Sequence, residues 1–308
     1  MKNDHRLALG VRMVVLALLF ALGLWCVLGP LPRGTPVAQV TSQSPVESAD
    51  QGTKVELEEK SAYSRIRVTK DKGVRTLWFV PESGEPIVES MVDMDKPHEL
   101  LVPYTRYMFT SYFIRPKQTK VLIVGLGGGA MIHFLKHYDP QVKIDVVEID
   151  PAVVKIAEKY FAIRNGGNVG IITQDALEYL KSTGEHYDVI YMDAFLKPSD
   201  ATDKSGVPLR LKTIQFYKDI QKKLTENGLV VYNVHPHDKA PEDINNICEA
   251  FAQTYLFRLP NFGGYVAVGS LTQQRLDIGA VRHAAEELDR RFPMQFSWRD
   301  MADRLAPI

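Results

Sequence analysis

Residues 120–150, KVLIVGLGGGAMIHFLKHYDPQVKIDVVEID, constrain this chain more than any other stretch. Val121-Leu122-Ile123-Val124 has the length and β-branched content of a buried parallel strand. It breaks into Gly125-Leu126-Gly127-Gly128-Gly129, a turn that glycine populates freely. Ala130 to Tyr138 has helical spacing, with Met131, Phe134 and Leu135 on one side. A second strand, Ile144-Asp145-Val146-Val147, ends in Glu148 and Asp150. This strand–loop–helix–strand unit lets a ligand approach the loop backbone and the free N–H groups that open the helix. Glu148, about 20 residues beyond the loop, is placed to accept hydrogen bonds from both hydroxyls of a ribose. Together these features predict a nucleoside-containing ligand on Gly125, Gly127, Gly128 and Gly129. The spacing alone does not separate a dinucleotide from S-adenosylmethionine. The G-x-G-G-G loop and the helix opened by Asp150-Pro151 both lean towards an adenosyl sulfonium.

The rest of the chain extends the unit. Strands are expected at 169–173, 187–192, 228–234 and 265–270, with helices through 104–112, which Pro97 to Leu101 lead into, and at 151–161, 177–182, 213–224 and 241–254. Strands alternating with helices imply a mostly parallel sheet covered on both faces. Upstream, short alternating runs such as Ser64-Arg65-Ile66-Arg67-Val68 and Arg75-Thr76-Leu77-Trp78-Phe79-Val80 predict a small antiparallel unit, which 89–95 extends. The last two helical stretches, 280–291 and 298–305, read as packing or partner surface. The expected organisation is a membrane anchor or signal at 1–29, a flexible linker at 30–53, a small β domain at 54–96 and a Rossmann-like nucleotide-binding domain at 97–308.

Ligands of open parallel sheets sit at the carboxyl ends of the strands. Glu148, Asp175 and Asp193 each follow a strand and so point to one site. Asp175 with the Ala176 N–H would read an adenine edge, and Asp193 would orient an amine and take its proton. Each acid is also a favoured helix N-cap. The segment 194–208, AFLKPSDATDKSGVP, is long for a connection in a compact domain and reads as a lid.

Formal net charge is zero, with 37 basic and 37 acidic residues, so no global field draws nucleic acid. The two cysteines, Cys26 and Cys248, exclude a disulfide framework and a cysteine zinc site. No histidine spacing argues for a metal, and His235-Pro236-His237 alone is a weak metal signal. Residues 13–29, MVVLALLFALGLWCVLG, are uncharged and follow Lys2, Arg6 and Arg12. They predict a single-pass N-terminal anchor, in the inner membrane if the cell is bacterial, with its N-terminus in the cytosol. A cleaved signal peptide is the alternative, and the side of the membrane that holds the catalytic domain stays open.

Residues 62–270 resemble the spermidine synthase-like proteins of the S-adenosylmethionine methyltransferase fold superfamily. The matching residues are Tyr63-Ser64-Arg65-Ile66-Arg67-Val68, His98-Glu99, Gly125 to Gly129, Val147-Glu148-Ile149-Asp150-Pro151, Gln174-Asp175-Ala176 and Tyr187 to Asp193. The resemblance implies ribose binding by Glu148, adenine binding by Asp175, proton acceptance by Asp193, and a place for His98 and Glu99 at the amine substrate. It implies S-adenosylmethionine or its decarboxylated form as cosubstrate, a small-molecule amine as acceptor, and allows a homodimer. There are departures. The family carries an acid in the glycine loop, GGGDGG, where this chain has Gly128; Pro97 replaces a Tyr before the His-Glu pair; and Ala194-Phe195-Leu196 follows Asp193 without a second acid. The reading is therefore aminopropyl transfer to an amine. Methyl transfer from S-adenosylmethionine and non-catalytic adenosyl binding stand as alternatives.

Overall fold

The apolar runs become strands and the helical-period stretches between them become helices, alternating through the middle of the chain. The computed structural model describes residues 52–307 apart from 83, 197, 198 and 262. Four strands come first: β1 (Lys54–Lys60), β2 (Arg65–Asp71), β3 (Val74–Phe79) and β4 (Ile87–Asp93). They pair in order as an antiparallel meander. Alternation along the strands buries Ile66, Val68, Leu77 and Val92, which join the main hydrophobic core. The β3–β4 ladder slips once. Leu77 pairs with Ser90 and Trp78 with Val88, so Glu89 is an extra residue, a β-bulge in β4.

Two short helices, α1 (Pro103–Met108) and α2 (Ser111–Ile114), lead into the large sheet. Its elements are β5 (Lys120–Val124), α3 (Ala130–Tyr138), β6 (Lys143–Glu148), α4 (Pro151–Phe161), β7 (Val169–Thr173), α5 (Ala176–Ser182) and β8 (Tyr187–Met192). A 3-10 turn at Leu209–Leu211, α6 (Ile214–Gln221), β9 (Leu224–Val234), α7 (Ala240–Ala250), β10 (Gln253–Arg258) and β11 (Tyr265–Ser270) follow. The chain closes with α8 (Ile278–Arg291), α9 (Trp298–Ala302) and β12 (Leu305–Ala306). The strand order is β12-β10-β11-β9-β8-β5-β6-β7. Strands β5 to β9 run parallel, while β11, β10 and β12 are added antiparallel.

This order positions the site. From β5 the chain winds outward through β6 and β7, then crosses to β8 on the other side of β5. Both neighbours of β5 thus leave from it in opposite directions, and a crevice opens at the carboxyl ends of β5 and β8. One apolar cluster fills one face of the sheet and a second fills the other. The meander's buried residues belong to the first cluster, and the described residues fall within one compact unit, Ala49–Ile308.

The structure corrects several expectations. The single helix expected through Tyr104 to Tyr112 is two short helices, divided after Met108. The helix expected over 241–254 stops at Ala250, and residues 253–258 form β10, a strand that pairs with both β11 and β12. The single-pass membrane localisation is also corrected. The run 13–29 lies outside the described residues. Among the described residues no helix is long and apolar enough to cross a membrane. The longest of them, α8, has 14 residues, against the roughly 20 a span requires.

Candidate active site

The glycine loop is built for close approach. Gly125 has φ +100°, and a Cβ there would lie 2.2 Å from the Asp193 carbonyl oxygen. Gly129, at φ +70°, opens α3, and a Cβ there would meet Ile163 at 2.4 Å. Only glycine meets both demands, so β5 can turn tightly beneath the chain leaving β8. Helix α3 then starts without a side-chain cap, and with the Ile132 N–H already on the Gly129 carbonyl, the N–H groups before it are left for a ligand.

The loop forms one wall of a cavity with about 1080 Å³ of empty space, its open mouth included. Glu148 ends β6 on this wall. Its Oε2 accepts from the Leu126 N–H at 2.9 Å and its Oε1 from the Asp150 N–H at 2.9 Å. Those bonds fix the carboxylate, and each oxygen keeps capacity for a further donor. Burial raises its pKa, while the backbone donors oppose the rise. Asp150 caps α4 through the Ala152 N–H and also accepts from the Ser61 hydroxyl. Ser64 lines the same wall, and its buried hydroxyl has no hydrogen-bond partner among the described residues. An unmet hydroxyl, a fixed carboxylate and an uncapped helix end match the polar groups of a nucleoside.

Asp193 follows β8, the other neighbour of β5, and its backbone lies against Gly125. Its Oδ2 accepts from the Tyr104 hydroxyl at 3.0 Å and its Oδ1 from the Asn233 side-chain amide at 3.3 Å. Burial pushes its pKa up to about 6, against the lowering effect of those two donors. The carboxylate is therefore ionised at neutral pH and close enough to neutrality to accept a proton.

Asp175 and Ala176 also line the cavity. Asp175 serves first as a helix cap, its Oδ1 accepting from the Leu177 N–H at 2.9 Å, while its Oδ2 is ion-paired to Arg210. Both the capping role and a place in the cavity therefore hold for this residue. Arg210, Phe195, Leu196 and Pro208 reach the cavity from the long connection after β8. That connection is tied down by a cluster in which the Lys212 ammonium bonds Asp203 and, at 2.5 Å, Asp243, with His237 Nε2 at 3.3 Å. The cation among these acids is the protein's own.

Three expected site residues lie elsewhere. His98 stacks on His137 with ring centres 3.8 Å apart, and Glu99 pairs with Lys96 at 3.3 Å. His137 is in the last turn of α3, five residues beyond Ile132, the last α3 residue that lines the cavity, so the pair sits about 7–8 Å further along the helix. The cause is the turn after β4, closed by the Lys96 and Glu99 N–H groups on Asp93 and Lys96 carbonyls. Gly128 is also off the cavity wall. A Cβ there would meet the Phe161 ring and the Ser90 hydroxyl at 2.9 Å, so its role is packing.

Conversely, Ser64, Glu89, Tyr104, Asn233 and Arg210 belong to the site without having been singled out. Five acids line the cavity: Glu89, Glu148, Asp150, Asp175 and Asp193. Arg210 is the one basic side chain among the described residues that line it, and Asp175 already pairs with it. This excess of acids over bases suits a cationic ligand.

Comparison with known proteins agrees with this geometry. Residues 104–274 match the family model of the spermine/spermidine synthase domain. The polyamine aminopropyltransferase of Vibrio vulnificus (strain CMCP6) is 29% identical over 235 residues, covering 75% of this chain and 76% of that protein. A crystal structure of spermidine synthase in complex with the transition state analogue AdoDATO superposes with a TM-score of 0.63 at 19% identity, over 83% of this chain and 86% of that one. Human methyltransferase-like protein 13 in complex with SAH gives 0.57 at 21% identity, over 64% and 96%. At these identities the two structures are alike in fold.

Proposed function

Because the chain belongs to the spermine/spermidine synthase family, we propose that it is an aminopropyltransferase acting on a small-molecule amine, with decarboxylated S-adenosylmethionine as cosubstrate. The observation that carries the reading is Asp193, a carboxylate with a raised pKa in a cavity lined by acids. Curated relatives named polyamine aminopropyltransferase support the same class of transferase.

Glu148 holds the ribose hydroxyls, and the glycine loop with the first turn of α3 faces the rest of the adenosyl group. Asp175 and Ala176 border the adenine. Asp193, steadied by Tyr104 and Asn233, orients the acceptor amine. The amine nitrogen attacks the tail carbon bonded to the sulfonium. The carbon–sulfur bond breaks with its electron pair on sulfur, methylthioadenosine leaves as a neutral thioether, and Asp193 takes the amine's proton. Holding the partners in line inside a closed cavity supplies much of the acceleration.

One observation favours a second reading. The glycine loop carries no acid, so it would also accept the carboxylate of intact S-adenosylmethionine and permit methyl transfer. Product identity separates the two. Incubation of each cosubstrate with a panel of amines should yield methylthioadenosine from decarboxylated S-adenosylmethionine, detected by mass spectrometry, and no product from the intact form. S-adenosylhomocysteine as the product would replace the first reading with the second.

The role of Tyr104 has its own test. Tyr104→Phe removes one of the two donors that lower the Asp193 pKa. The acidic limb of the kcat/KM profile should move upward, with a loss that approaches about fivefold below pH 6, the worth of one hydrogen bond at about 1 kcal/mol, and falls under about twofold at neutral pH. An unmoved limb would take Tyr104 out of the proton-accepting unit.

A further inference from the structure

Consecutive residues on a strand point to opposite faces, yet Glu89 and Ser90 both line the cavity. The bulge in β4 makes this possible, since Glu89 is the extra residue and has no partner on β3. The pair abuts the glycine loop. A Cβ on Gly127 would lie 3.5 Å from Ser90 Cβ and 4.0 Å from the Glu89 carbonyl oxygen.

The other four acids of the cavity are all engaged: Glu148 by two backbone N–H groups, Asp150 by Ser61 and Ala152, Asp175 by Leu177 and Arg210, and Asp193 by Tyr104 and Asn233. The Glu89 carboxyl has no hydrogen bond or ion pair to any described residue. It is the one acid of the cavity with its acceptor capacity unspent, and it stands beside a glycine loop that has no acid of its own.

We infer that the Glu89 carboxylate receives the ammonium at the end of the cosubstrate's aminopropyl tail, and thereby selects decarboxylated S-adenosylmethionine over the intact form. This rests on the aminopropyl reading above. The decarboxylated tail ends in a lone cation. The intact tail carries a carboxylate on the same carbon, which would enter a cavity already rich in like charge.

A pH signature follows. Burial, with the charges of Asp193 and Glu148, pushes Glu89 up to about 8. The groups that face it are those two acids and Tyr104 from α1, and Arg210 is taken up by Asp175. Without a cation beside it, Glu89 is protonated at neutral pH, and an incoming ammonium displaces that proton. Affinity for the decarboxylated cosubstrate should therefore rise as pH approaches 8 and level off above it, by up to about tenfold per unit. Asp193, at about 6, is already ionised over that interval.

The experiment is calorimetric titration of the full chain and its Glu89→Gln variant with decarboxylated S-adenosylmethionine and with methylthioadenosine, which lacks the charged tail. The variant should bind the first about tenfold more weakly and the second within about twofold, and the gain between pH 7 and 8 should vanish. Equal changes for both ligands, no change for either, or no pH-dependent gain in the wild type would overturn the inference. Product analysis keeps the two questions apart. A wild type that forms S-adenosylhomocysteine defeats the aminopropyl reading. One that forms methylthioadenosine, with a variant that discriminates tails as before, defeats the role of Glu89 alone.

Discussion

Asp193→Asn is expected to lower turnover by about 10²- to 10⁴-fold, the usual contribution of a positioned general base, while cosubstrate affinity changes little. The substitution is isosteric. Its amide oxygen can still accept from Tyr104 or Asn233, so the walls of the cavity keep their shape. What disappears is the carboxylate that takes the amine's proton. The wild type should lose activity as pH falls through about 6, because the base works only when ionised and burial has raised its pKa to that value. The variant should show no such limb. Single-turnover rates against pH, with a parallel binding titration, check both statements. Full turnover in the variant would remove Asp193 from proton transfer. An intact limb would assign the titration near pH 6 to another group.

Asp193 and Glu148 could be found from sequence because the fold's periodicity gives their positions. A buried β-branched run, a glycine turn and a helical stretch locate the end of each strand, and in a parallel sheet the site lies at those ends. Asp175 was ambiguous for a physical reason, since a carboxylate at a strand–helix junction can cap the helix and face the crevice together, and this one does. Other residues depended on geometry that local pattern does not carry. Glu89 faces the cavity because of a bulge, and Ile87-Val88-Glu89-Ser90-Met91-Val92, apolar and polar residues in successive pairs, does not mark which residue is the extra one. His98 and Glu99 follow a turn whose direction carries them to the far end of α3. The helix expected to reach Thr254 takes in the first two residues of β10 because no proline or glycine marks the break after α7.

Glu148→Ala should cost cosubstrate affinity at least about 100-fold. Charge-assisted hydrogen bonds contribute roughly 1.5–3 kcal/mol each, and the carboxylate is placed to accept from both ribose hydroxyls. The same side chain also anchors the site. Its removal strands the buried N–H groups of Leu126 and Asp150, each at a cost of about 1–3 kcal/mol. The variant should therefore melt several degrees below the wild type even without ligand, and a lower affinity alone would not prove contact with the ribose. Two ligands separate the roles. Methylthioadenosine has the ribose, whereas adenine does not, so direct contact requires that the first lose most of its affinity and the second little. Equal losses for both would mean that Glu148 acts only by shaping the glycine loop. Unchanged affinity for methylthioadenosine would take the ribose away from β6 altogether, and with it the orientation that brings the sulfonium to Asp193.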